Sequence, residues 1–108
     1  MVNKLIIAII NKEDSKKLCQ ALTKAKHYVT QLHTQGGFLM SGNETLLIGT
    51  EAEKIPDIVK IIETYSQTRT EIVPVGIGYP DGPMPIPIEV TVGGATIFVL
   101  DVEQFIKV

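Results

Sequence analysis

Apolar positions along the chain cluster into short segments whose period switches between two and about 3.6. The first, Leu5 to Ile10 in "LIIAII", is an unbroken run rich in isoleucine, the pattern of a central strand covered on both faces. Asp14 and Ser15 then offer N-cap oxygens. Leu18, Ala21, Leu22 and Ala25 follow at i, i+3, i+4 and i+7, one apolar stripe on a first helix. His27 to Thr34 is rich in β-branched and aromatic residues and partly alternating, which predicts a half-buried second strand. Thr45 to Gly49 is a short apolar strand, close enough to the second to pair with it as a long hairpin tipped by "TQGGFLMSGNET".

Pro56 suits the first turn of a second helix, where its missing N–H costs nothing, and Ile55, Ile58, Val59, Ile62 and Tyr65 form its apolar stripe. Thr70 to Val73 is a fourth strand. From Pro74 to Pro87 the density of Gly and Pro predicts a long loop with no regular element, and loops of that length in compact domains are commonly functional. Glu89 to Val92 and Ala95 to Leu100 flank Gly93-Gly94, the signature of a two-residue hairpin turn between two last strands. The order β-α-β, β-α-β with an extra C-terminal hairpin strand predicts an α+β, ferredoxin-like domain with both helices on one face of an antiparallel sheet. A first strand apolar on both sides then leaves one face to be covered by another subunit. A homotrimer is the simplest ring that does so.

Composition narrows the classes of function. The chain has 108 residues, 44% of them hydrophobic and 20% charged, which suits one globular domain spanning residues 1–108. No apolar run approaches the roughly 20 residues of a membrane span, and no signal-peptide pattern is present, so a cytoplasmic location is expected. One cysteine, Cys19, allows no intrachain disulfide. A net charge of -2 gives no electrostatic basis for binding long nucleic acid, whereas backbone N–H groups could still hold a small phosphate-bearing ligand.

Candidate chemistry is sparse. His27 and His33, on one extended strand, would lie roughly 20 Å apart, too far to share an ion. Cys19 sits between apolar helix positions and reads as a small buried hydrophobe. Glu13, Asp14, Glu51 and Glu53 stand where helices begin and complement their dipoles. No nucleophile elbow, phosphate-binding GxxxxGK loop or dinucleotide fingerprint occurs, so catalysis finds no support. The Gly-rich tip has two readings. Its glycines could simply satisfy a turn. Alternatively, Gly36 and Gly37 bring backbone N–H groups together, Phe38 and Leu39 give an apolar surface for a planar ring, and the Asn43 carboxamide matches the edge of adenine.

The stretch "TQLHTQGGFLMSGNETLLIG" resembles the pattern T-x-L-x-(T/S)-x-GGFL-x-x-GN-x-T-x-L-x-G of the PII-like cyclic-di-AMP receptor family, and "PIPIEVTVGGATIFVLDVEQF" resembles that family's ending. The similarity runs through nearly the whole chain. It implies a PII-like homotrimer of ferredoxin-like subunits, non-catalytic and without a cofactor, with cyclic-di-AMP in each cleft between neighbours. By the same resemblance Thr30, Gly37, Phe38, Leu39, Asn43 and Gly49 line the pocket, and Gly94 and Phe98 contribute from the same or the adjacent chain. The ligand is expected to order the loops about Thr34 to Glu44 and Pro74 to Pro87, changing the surface shown to an as yet unidentified downstream protein.

Two positions depart from the family pattern. Tyr28 stands where many members have Arg, and Lys107 where a Gln is common. Tyr28 can stack on a base but cannot make a bidentate phosphate contact, while Lys107 can supply a positive charge as a point donor. The Pro74 to Pro87 loop is also short for the family. Two other functions fit the same fold: a PII-type sensor of ATP and 2-oxoglutarate, which would need a longer loop between the second and third strands, and a structural or interaction trimer without a ligand.

Overall fold

In the computed structural model, residues 1–33, 42–75 and 86–108 are described, in the order β1 (Lys4–Asn11), α1 (Lys12–Lys24), β2 (Val29–Leu32), β3 (Asn43–Thr50), a 3-10 turn (Ala52–Lys54), α2 (Ile55–Tyr65), β4 (Arg69–Val75), β5 (Ile86–Val92) and β6 (Ala95–Asp101). The β-α-β-β-α-β order and antiparallel pairing are those expected of a ferredoxin-like α+β domain. The isoleucine-rich β1 is indeed central. It lies between β3 and β6 in a four-stranded sheet of order β2-β3-β1-β6.

Alternation along the strands sends successive side chains to opposite faces. On β1, Ile6, Ala8 and Ile10 are buried, and on β3 Leu46 and Ile48 join them. Leu18 and Leu22 of α1 and Ile58 and Ile62 of α2 close over this face, so one core holds both helices against one side of the sheet. Within the predicted helical stripes, Ala25 and Tyr65 fall outside the core and are exposed. The other face carries Leu5, Ile7, Ile9 and Leu47, all only half-buried.

Helix α1 starts earlier than its sequence predicts. Asn11 is the N-cap, its side chain accepting from the Glu13 N–H at 2.8 Å, and the expected caps Asp14 and Ser15 are instead buried inside the first turn. The helix ends where Lys26 takes a left-handed backbone (φ 68°), with the Lys26 N–H bonding the Thr23 carbonyl and the His27 N–H the Leu22 carbonyl. His27 therefore precedes β2 rather than belonging to it. It is only 8% exposed, and its Nε2 lies 2.8 Å from Asp57 Oδ2 of α2.

The C-terminal third differs most from expectation. Gly93-Gly94 does not turn a hairpin: β5 pairs with β4 in a separate two-stranded sheet, and β6 crosses to pair with β1. The glycines serve the crossing instead. Both have positive φ, a Cβ on Gly93 would strike the Gln67 carbonyl, and the Gly94 N–H bonds the Ser66 carbonyl. Nor is Pro74 to Pro87 wholly irregular. Strand β4 continues to Val75 and β5 starts at Ile86, with Pro74 and Pro87 directly opposite one another. A two-stranded ribbon has two free edges, and there a nitrogen without hydrogen can point outward at no cost in ladder bonds. Arg69 joins this ribbon to α1, 3.1 Å from Asp14 Oδ1 and 3.4 Å from Glu13 Oε2.

Candidate ligand-binding face

Residues directly opposite in an antiparallel pair project to the same face. Thr30 pairs with Leu47, Leu47 with Ile7, and Ile7 with Phe98, which makes one row across all four strands. The half-buried Leu47 and Ile7 fix this row on the face away from the helices. Strand alternation adds Asn43, Thr45 and Gly49 of β3, with Gly49 paired to Leu5 and Leu5 to Leu100. Thr30, Asn43, Gly49 and Phe98, four residues implied by the resemblance, therefore share the open face.

They do not all meet within one chain. Thr30 is on the edge strand β2 and Phe98, 43% exposed, on the opposite edge strand β6. Three strand spacings separate them, about 14 Å. Gly49 is exposed, and an added Cβ would make only ordinary contact with Val2 at 3.4 Å, so its backbone requires no glycine. Gly94 has a conformational reason of its own in the crossing described above. Tyr28 is 87% exposed just before β2, and Lys107 is exposed in the segment after β6. Gly37, Phe38 and Leu39, with the tip of the β2–β3 connection, lie outside the described residues.

Beneath the open face, on the helix side, is a polar cluster that the motif reading missed. The Ser15 hydroxyl of α1 donates to Glu44 Oε2 and accepts from Gln31 Nε2 at 2.6 Å. Glu44 Oε1 also lies 3.6 Å from His33 Nδ1. Glu44 and Gln31 occupy unspecified positions of the motif, each adjacent to a specified one, Asn43 and Thr30. Strand alternation alone would have placed them on the opposite face. Cys19 borders the same cluster; burial pushes its thiol pKa up, against hydrogen bonds with Ser15 and Gln31 that lower it. Among the described residues, no three His, Cys, Asp or Glu side chains gather as metal ligands.

The fold defines a small α+β domain of ferredoxin-like topology whose helices cover one face of the four-stranded sheet. A profile of the cyclic-di-AMP receptor family matches residues 3–108, and the chain belongs to that family. It is also similar to a solved structure, described as a functionally unknown protein from Pediococcus pentosaceus ATCC 25745. The two are 41% identical with a TM-score of 0.77, over 100% of this chain and 99% of the other. No helix among the described residues is long and apolar enough to cross a membrane.

Proposed function

We propose that the protein is a non-catalytic receptor that binds cyclic-di-AMP between the subunits of a homotrimer and signals through the segments 34–44 and 74–87. The family match over residues 3–108 carries this reading. The geometry supports it in two ways. Thr30, Asn43, Gly49 and Phe98 share one face, and the distance between the β2 and β6 edges lets Phe98 of one protomer complete the Thr30 and Asn43 side of the next. The half-buried Leu5, Ile7, Ile9 and Leu47, with the exposed Leu100, supply the apolar surface such an assembly buries.

On this reading, the Asn43 carboxamide pairs with an adenine edge, Thr30 offers a hydroxyl, and Phe38, Leu39 and Phe98 form apolar walls. Tyr28 stacks and Lys107 contributes charge. Signalling requires that the ligand bind one arrangement of the two segments more tightly than the others, which alters the surface offered to a downstream protein. Calorimetric titration with cyclic-di-AMP, cyclic-di-GMP and ATP tests the reading. Saturable binding of cyclic-di-AMP at one per chain is expected, with sedimentation giving a trimer. Binding of ATP alone would favour a PII-type sensor, and no binding of any nucleotide a structural trimer.

A further inference from the structure

We propose that Ser15, together with Glu44 and Gln31, is a clamp that positions Asn43 and Thr30 for the ligand from the opposite face of the sheet. This rests on the reading of the open face as a cyclic-di-AMP site. Ser15 is 3% exposed, and its hydroxyl is satisfied on both sides, donating to Glu44 and accepting from Gln31. Each partner is the strand neighbour of a ligand residue: Glu44 of Asn43 on β3, and Gln31 of Thr30 on β2. One helix side chain thus bridges two strands from beneath, at the residue that follows each ligand position.

The clamp acts beyond the end of the described β2–β3 ladder. Register pairing between β2 and β3 covers only Val29 to Leu32 against Thr45 to Ile48, so Asn43 and Glu44 lie beyond the β2 ladder. Apart from His33, whose Nδ1 lies 3.6 Å from Glu44 Oε1, their restraints among the described residues come from the other side. Asn43 and Glu44 face Asn11 and Ile10 of β1, the Lys12 N–H bonds the Gly42 carbonyl at 2.6 Å, and Ser15 holds the carboxylate of Glu44, whose side chain is 8% exposed. The first turn of α1 is therefore the abutment for the strand start that carries Asn43. A buried carboxylate stripped of its hydroxyl partner would shift toward other donors or water, because an unmet hydrogen bond in a low-dielectric interior is costly. Its strand would move with it, and the Asn43 carboxamide would lose its aim.

The test is a double-mutant cycle in the full-length protein, read by cyclic-di-AMP titration. Ser15→Ala is expected to weaken binding about tenfold. In an Asn43→Ala background the same change should cost less than about twofold, since the residue being aimed is already gone. Ser15→Thr keeps the hydroxyl and is expected to bind more tightly than Ser15→Ala, and a cooperative thermal transition in each variant guards against simple misfolding. In the ligand-free protein, Ser15→Ala should speed amide exchange at Asn43 and Glu44 while Ile6 and Ile48 stay protected. Wild-type binding with Ser15→Ala unchanged, an equal loss in both backgrounds, or unaltered exchange at Asn43 would overturn the clamp. Failure of the wild-type protein to bind cyclic-di-AMP would overturn the site reading beneath it.

Discussion

The two faces of the four-stranded sheet are built from the same strands yet answer to different demands. On the helix side, Ile6, Ile10, Leu46 and Ile48 are at most 1% exposed, and their chemistry is that of a packed interior. On the open side, Leu5, Ile7 and Leu47 are half-buried, and polar or small residues such as Thr30, Asn43 and Gly49 stand among them. Because neighbours alternate, consecutive residues such as Leu47 and Ile48 have separate roles. Full and partial burial are thus divided residue by residue along a strand, rather than element by element.

The largest effect should come from the covered face. Ile48→Ala removes a fully buried side chain and should lower unfolding free energy by about 2–5 kcal/mol in urea denaturation, while Leu47→Ala next door should cost clearly less and weaken association instead. Equal losses of stability at the two positions would erase the contrast. On the open face, Asn43→Ala should weaken cyclic-di-AMP binding by about 1–3 kcal/mol while leaving the ligand-free Tm near wild type. Unchanged affinity would remove Asn43 from the site.

A smaller contrast separates Cys19 from a solvent-exposed thiol. Because burial raises its pKa, less thiolate is present at a given pH, and iodoacetamide should modify it more slowly in the folded protein than in urea at pH 8. Equal rates would show the α1–β2 side of the sheet to be open. The smallest effect belongs to the exposed pair at the β1–β6 edge. Lys4 hydrogen-bonds Asp101 and holds its pKa below the usual carboxylate value. Its contribution to stability is therefore present above the unfolded pKa of about 3.9 and lost as pH falls through the lower folded value. Asp101→Asn should lower the Tm slightly near neutrality and not at all once the wild-type carboxyl is protonated, so that the two Tm-against-pH profiles converge at the acid end.

Periodicity made the covered face legible. The Leu18 and Leu22 stripe, the Ile58 and Ile62 stripe and the "LIIAII" strand all came from local patterns whose partners matter little, since any apolar surface would bury them. Pairing was harder to read. Gly93-Gly94 carries the local chemistry of a hairpin, but the positive φ that glycine permits serves a crossover equally well, and only the competition between β1 and β5 for β6 decides which forms. Pro74 and Pro87 likewise argued against strands, and a ribbon with two free edges tolerates them. The open-face residues were reachable through the motif, whereas Ser15, Gln31 and Glu44 were not. They stand 16 and 29 positions apart, and no local spacing announces their meeting.

The row from Thr30 to Phe98 has a genetic corollary. When each pocket in the proposed ring borrows one wall from a neighbour, damage to the two walls can be carried by different chains. Co-assembling Asn43→Ala subunits with Phe98→Ala subunits would then rebuild some wild-type pockets, so that two inactive proteins regain a share of binding only as a mixture.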